Sequence, residues 1–160
     1  MTRIVVLAWG NPSRGDDGLG PALAARIETA AARFGRDVRV ETDFQLQPEH
    51  AADLVDCDAA IFVDAAIDAP EPFGFRRLTP ARDRTFTTHA MSPEAVLAAY
   101  RDAFGAEPPP AYALAIRGDS FDLGTGLSLA AMDRMEDAAA FLESLLAALD
   151  PRMTAAPASR

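Results

Sequence analysis

The sequence predicts a three-layer α/β domain, with a mostly parallel twisted sheet flanked by helices on both faces. Three observations carry this expectation. Apolar runs at Arg3–Trp9 and at residues 59–63 and 111–116 have the continuous character of strands buried on both faces. Helical patterns alternate with these runs, which implies right-handed crossovers and a parallel sheet. A glycine-rich turn joins the first strand to the first helix, where open α/β folds place their sites.

Each element follows from local pattern. After the strand Arg3–Trp9 comes a helix over residues 21–34, with Leu23, Ile27 and Ala31 as its apolar stripe and Pro21 in its first turn. Gly35-Arg36-Asp37 is a turn. Residues 38–44 alternate apolar and polar and predict a half-buried strand. Pro48 starts a short helix through Val55. The central strand at 59–63 ends in Asp64. Residues 68–74, with Pro70, Pro72 and Gly74, are a loop before a short strand at 75–78. Residues 82–91 show no periodicity. Ser92-Pro93-Glu94 is a helix start, with Ser92 as N-cap, leading to about Phe104. Three consecutive prolines in residues 105–110 make an exposed connection. A strand at 111–116, a loop at 117–126 and a long helix from Leu127 or Ser128 to Leu149 complete the pattern. In that helix Met135, Ala138, Leu142, Leu145 and Leu149 form a core-facing stripe. Residues 1–149 are expected to form one domain and 150–160 a flexible tail.

Composition narrows the function. The 160 residues are 49% hydrophobic and carry a formal charge of −9. No basic face is available to replace phosphate counterions, so nucleic acid is not an expected partner. No run of about 18 apolar residues exists to span a membrane, and no leader pattern precedes the first strand, so a cytoplasmic protein is expected. One cysteine, Cys57, forms no internal disulfide and no multi-cysteine metal site. It reads as a small buried residue.

The opening turn, Trp9-Gly10-Asn11-Pro12-Ser13-Arg14-Gly15-Asp16-Asp17-Gly18-Leu19-Gly20, holds four of the chain's ten glycines. Its glycine intervals do not fit the dinucleotide fingerprint. Gly10 and Gly15 have the interval of a phosphate loop, but Asp16 and Asp17 stand where that loop needs Lys and Ser or Thr. Two carboxylates there repel a phosphate and suit a cation. Asp17, Asp64 and a histidine at one sheet edge would offer two oxygens and a nitrogen to a divalent metal. On spacing alone a second reading is open: Asp16 or Asp17 caps the following helix, and Asp64 is a strand-end turn residue.

These motifs resemble those of the hydrogenase maturation proteases, the endopeptidases that process the large subunit of NiFe hydrogenases. The matching residues are Gly10-Asn11 followed by Gly15-Asp16-Asp17-Gly18-Leu19-Gly20, then Ile61-Phe62-Val63-Asp64-Ala65, then Thr87-Thr88-His89 with Met91-Ser92-Pro93. The similarity runs in order to about residue 148. Gln45-Leu46-Gln47-Pro48-Glu49 and Arg117-Gly118-Asp119-Ser120-Phe121 look like the branch serving NAD-coupled soluble hydrogenases. The resemblance implies that Asp17, Asp64 and His89 bind nickel. Some members carry glutamate at the position of Asp17, and others place the histidine after the Ser-Pro, where this chain has Glu94. His50 matches no motif and reads as a surface residue.

The resemblance also implies the reaction. The nickel-loaded precursor of a hydrogenase large subunit is the partner, nickel arrives inside it, and a C-terminal extension is cut off. With no Ser-His-Asp set and no matched thiol, the chemistry falls to a polarised carbonyl or a metal-bound water. A carboxylate takes the proton, with Asp17 and Asp64 at the centre and Asp16 as the candidate base. Trp9, Asn11, Arg14 and residues 43–49 are expected to line the cleft. Two alternatives share parts of this pattern: a non-proteolytic nickel-binding maturation chaperone, and a small nucleotide-binding α/β domain.

Overall fold

Five strands form one sheet in the order β2-β1-β3-β5-β4, made of β1 (Arg3–Trp9), β2 (Asp37–Asp43), β3 (Ala59–Ala66), β4 (Phe73–Leu78) and β5 (Ala111–Arg117). The computed structural model describes residues 2–83 and 91–149. β1, β2, β3 and β5 run parallel, and only the edge strand β4 is antiparallel, to β5. The three-layer α/β expectation therefore holds. β4 reverses direction because a short loop, rather than a helix, connects it to β3.

Alternation along the strands sorts the core into two layers. Ile4, Val6, Ala8, Ile61, Val63, Leu114 and Ile116 face α1 (Leu19–Ala30) and α3 (Leu129–Ala148). Val5, Leu7, Trp9, Ala60, Phe62 and Ala111 face α2 (Pro93–Phe104) and a 3-10 segment, Pro48–Leu54. The first helix differs from expectation at both ends. It begins at Leu19 after a 3-10 turn over Gly15–Gly18, so Pro21 remains in the first turn, where its missing N–H has no partner to lose. It tightens into a 3-10 turn at Ala31–Phe34, so Ala30 rather than Ala31 closes the buried stripe with Leu19, Leu23 and Ile27.

α2 begins as expected with Ser92 as its N-cap, whereas α3 begins at Leu129, just after the expected Leu127 or Ser128, with Ser128 as its N-cap. Ser92 Oγ accepts from the Ala95 N–H at 3.1 Å, and Ser128 Oγ accepts from the Ala131 N–H at 3.1 Å. The C-terminal ends of the four parallel strands share one edge. The opening loop, the end of β3 and the β5–α3 loop all emerge there, while residues 84–90 and 150–160 lie outside the described residues.

Candidate functional site

The opening loop is a closed hydrogen-bonded structure. Gly10 has φ +143°, and a Cβ there would collide with the main-chain carbonyl of Asp17, so only glycine lets the chain double back so closely. The fold-back brings Asn11 N–H to Asp17 Oδ2 at 2.7 Å. Asn11 Oδ1 accepts in turn from Ser13 N–H at 2.9 Å. Four more amides of the loop are engaged: Gly15 N–H on Thr125 O, Asp16 N–H on Ser120 O, Asp17 N–H on Arg14 O and Leu19 N–H on Asp16 O. A phosphate cradle needs free N–H groups. These amides are already bonded within the protein, and nothing in the loop favours the nucleotide-binding alternative.

Asp64 lies inside β3 rather than at its end. The strand continues two residues further because β5 pairs with it through Ala66, whereas β1 pairs only as far as Val63. Asp64 thus stands where the sheet has begun to open, on the face of Phe62 and Trp9. Those two rings meet edge-on at 6.2 Å. Burial pushes the Asp64 carboxyl up to about 7. The Ala65 N–H, which Asp64 Oδ1 accepts at 2.7 Å, pulls it down, and the charge of Asp17 pushes it up again. The Asp17 charge is the smallest of these three influences on Asp64. Neither Asp16 nor Asp17 makes a side-chain cap on α1, which removes the capping alternative.

Asp16 is held differently from Asp17. Its side chain is completely buried, with 0% exposure. Oδ2 accepts from Asp119 N–H at 2.8 Å, Ser120 N–H at 3.2 Å and the Ser128 hydroxyl at 3.0 Å, while Oδ1 accepts from Ser128 N–H at 2.8 Å. Burial alone would raise its pKa, but the bonds from Ser128, Asp119 and Ser120 outweigh it and hold the carboxyl below the ordinary aspartate value. A carboxylate so stabilised, with both oxygens occupied, is a poor proton acceptor. It ties the β5–α3 loop and the positive end of α3 to the opening loop.

The other candidates separate. His89 lies outside the described residues. His50 is not a plain surface residue: Nδ1 accepts from Gln47 N–H at 2.9 Å and Nε2 lies 3.4 Å from Asp43 Oδ2, closing the start of the 3-10 segment. Glu94 pairs with Arg76 at 2.8 Å rather than joining the aspartates. Cys57 sits at the opposite end of β3 beside Arg3 and Arg39, its thiol raised by burial. Replacing it, Cys57→Ser, is expected to leave any activity of the Asp17–Asp64 edge unchanged; a dead but folded variant would restore a thiol mechanism. Among the described residues no three His, Cys, Asp or Glu side chains gather to hold a metal.

A cavity of about 470 Å³ opens beside Asp64, bounded by Trp9, Phe62, Ala113, Ala115, Gly74 and Arg76. Trp9 lines it as expected, whereas Asn11 and Arg14 do not. Asp43 and Phe44 line a separate hollow with Gly10, Pro12 and Pro21. The β5 and β4 lining of the main cavity combines the small residues Ala113, Ala115 and Gly74 with Leu114, Phe75 and Arg76.

This architecture has counterparts among solved structures. The maturation protease HycI from Thermococcus kodakarensis KOD1 superposes with a TM-score of 0.67 at 22% identity, over 91% of this chain and 92% of that one. The hydrogenase maturating endopeptidase HybD from E. coli gives 0.67 at 22% identity, over 90% and 92%. The endopeptidase HycI from Escherichia coli gives 0.64 at 24% identity, over 91% and 91%. The chain has the fold of the NiFe hydrogenase maturation proteases. No family model and no curated protein matches the sequence.

Within the maturation-protease fold, the part invisible to sequence reading was the support of the acidic pair. Asp119 and Ser120 hold Asp16 through main-chain N–H groups, which carry no side-chain signature, and Ser128 holds it through both its N–H and its hydroxyl. Arg134, with a side chain 13% exposed, clamps the same loop by bonding Glu71 at 2.6 Å, Asp119 at 2.8 Å and the Arg117 carbonyl at 3.3 Å. The available signal was Ser128 at a helix start, whose cap geometry leaves its N–H and hydroxyl free to donate.

Proposed function

We propose that this protein is an endopeptidase that recognises the nickel-loaded precursor of a NiFe hydrogenase large subunit and removes its C-terminal extension. The observation that carries the reading is the Asp17–Asp64 pair at the strand-end edge of a fold shared with hydrogenase maturation proteases. Nickel belongs to the substrate here. The donor set suits it: two carboxylate sides, one of them desolvated, with His89 as the third ligand by resemblance. A cation between Asp17 and Asp64 would relieve their mutual repulsion and the burial cost of Asp64.

The chain's own residues supply three things. Gly10 and Asn11 hold Asp17 in one orientation. Trp9 and Phe62 exclude water on one side of Asp64, so its proton affinity lies near neutral pH, suited to exchanging a proton with a peptide carbonyl or an attacking water. The small Ala113 and Ala115 on β5 admit the segment to be cut. Asp16 holds the loop against α3 and is a positioning residue.

The test is incubation with a purified nickel-loaded precursor and mass measurement of the large subunit. Wild type should remove the extension. Asp17→Ala, Asp64→Ala and His89→Ala should each slow cleavage by at least about 100-fold while the fold is retained. Full activity in one of them removes that residue from the site, and no cleavage by wild type sinks the reading.

A further inference from the structure

Seven large apolar side chains are left exposed among the described residues, and five lie at the edge that carries Asp17 and Asp64. Phe44 (70% exposed) follows β2, Ile67 (63%) follows β3, Leu123 (72%) lies in the β5–α3 loop, and Leu129 (81%) and Met132 begin α3. Only Val55 and Phe104 lie at the opposite end. Scattered surface apolar residues need no explanation, but concentration around one site does.

The segments that carry them are bonded into one rim. Gly10 N–H donates to Asp43 O at 3.1 Å, Gly124 N–H to Ser13 O at 2.7 Å, and Gly118 N–H to Ala66 O at 3.1 Å. A hollow of about 260 Å³ between Pro12, Pro21 and Phe44 offers a seat for an aliphatic side chain. The rim is also acidic in a regular way. Asp43 adjoins Phe44, Asp68 adjoins Ile67, Asp122 adjoins Leu123, and Asp133 adjoins Met132. Asp68 and Asp133 make no ion pair among the described residues, and Arg76 and Arg134 are already committed to carboxylates. Arg14 and Arg117 are the remaining guanidiniums there among the described residues, and Arg117 is half-buried with one nitrogen donating to the Ala69 carbonyl at 2.9 Å.

We infer that this rim docks the folded body of the precursor, through a face that presents apolar side chains interspersed with lysine or arginine. The inference rests on the protease reading and adds the surface that selects the partner. Width favours a folded body over the cut segment alone. The exposed apolar side chains come from four separate segments, the ends of β2 and β3, the β5–α3 loop and the first turn of α3, and so form a broad face rather than one strand-wide groove. Charge complementarity favours a basic face, since the chain carries −9 overall and the rim's carboxylates stand among its apolar groups.

The experiment measures both binding and cleavage of a purified nickel-loaded precursor. The triple variant Phe44→Ser, Leu123→Ser, Leu129→Gln alters exposed side chains only, and its melting temperature checks the fold. It should bind at least about tenfold more weakly and raise KM similarly, with kcat nearly unchanged. Added salt should weaken wild-type binding, and less steeply in Asp68→Asn with Asp133→Asn. Unchanged binding and KM in the triple variant overturn the docking surface while leaving the protease reading intact. Wild type that binds but does not cleave, with binding still lost in the triple variant, sinks the protease reading and keeps the surface. Wild type that neither binds nor cleaves overturns both.

Discussion

Asp64→Asn should abolish cleavage of the nickel-loaded precursor and, at the same time, make the protein more stable at pH 8. The two effects have one cause. In the folded chain burial lifts this carboxyl from an ordinary 3.8 to about 7, so its ionised form is disfavoured by folding. The folded state keeps the proton that the unfolded state has already released. Stability from this group is therefore fully present below about pH 4, falls as pH rises, and is gone above about pH 7. The difference amounts to roughly 4 kcal/mol. Asparagine never ionises and can still accept from the Ala65 N–H. The stability advantage of the variant should thus open above pH 4 and level off beyond pH 7 in urea titrations. A gap independent of pH would show that Asp64 is not the strained carboxylate; undiminished cleavage would remove it from the chemistry.

Asp16→Asn should do the reverse, losing stability before it loses any chemistry. Four donors converge on this carboxylate, three main-chain N–H groups and the Ser128 hydroxyl. An amide has one accepting oxygen, so its NH₂ must face either Ser128 N–H or the trio from Asp119, Ser120 and Ser128. A buried donor-to-donor contact with unsatisfied N–H groups costs roughly 2–4 kcal/mol. The expected result is a lower urea midpoint and faster proteolysis of the β5–α3 loop, with any cleavage lost in proportion to the fraction unfolded. The carboxyl's depressed pKa adds a second signature. Its stabilising contribution is present above the ordinary aspartate value and is lost only as pH falls through the lower, folded one. A variant of normal stability that fails to cleave would instead make Asp16 the base.

Much of this molecule was legible without coordinates. Continuous apolar runs marked β1, β3 and β5, because strands covered on both faces have no polar side to alternate. Serine and proline marked the start of α2, because a helix's first amides need a local acceptor. Gly10, the acidic pair and Asp64 marked the edge where a cation-binding site would lie, because glycine and clustered carboxylates carry their chemistry in their own side chains, or in the lack of one. What the sequence left undivided was the pair itself. Adjacent in the chain, Asp16 and Asp17 look equivalent, and reading them as base and ligand was natural. The tertiary structure separates them, since residues 119–128 wrap Asp16 in donors while Asp17 accepts from the Asn11 N–H and its charge reaches Asp64. Main-chain N–H groups do that sorting. Every residue except proline has one, so a sequence cannot say which of them will converge on a given carboxylate; only the path of the chain in space decides it.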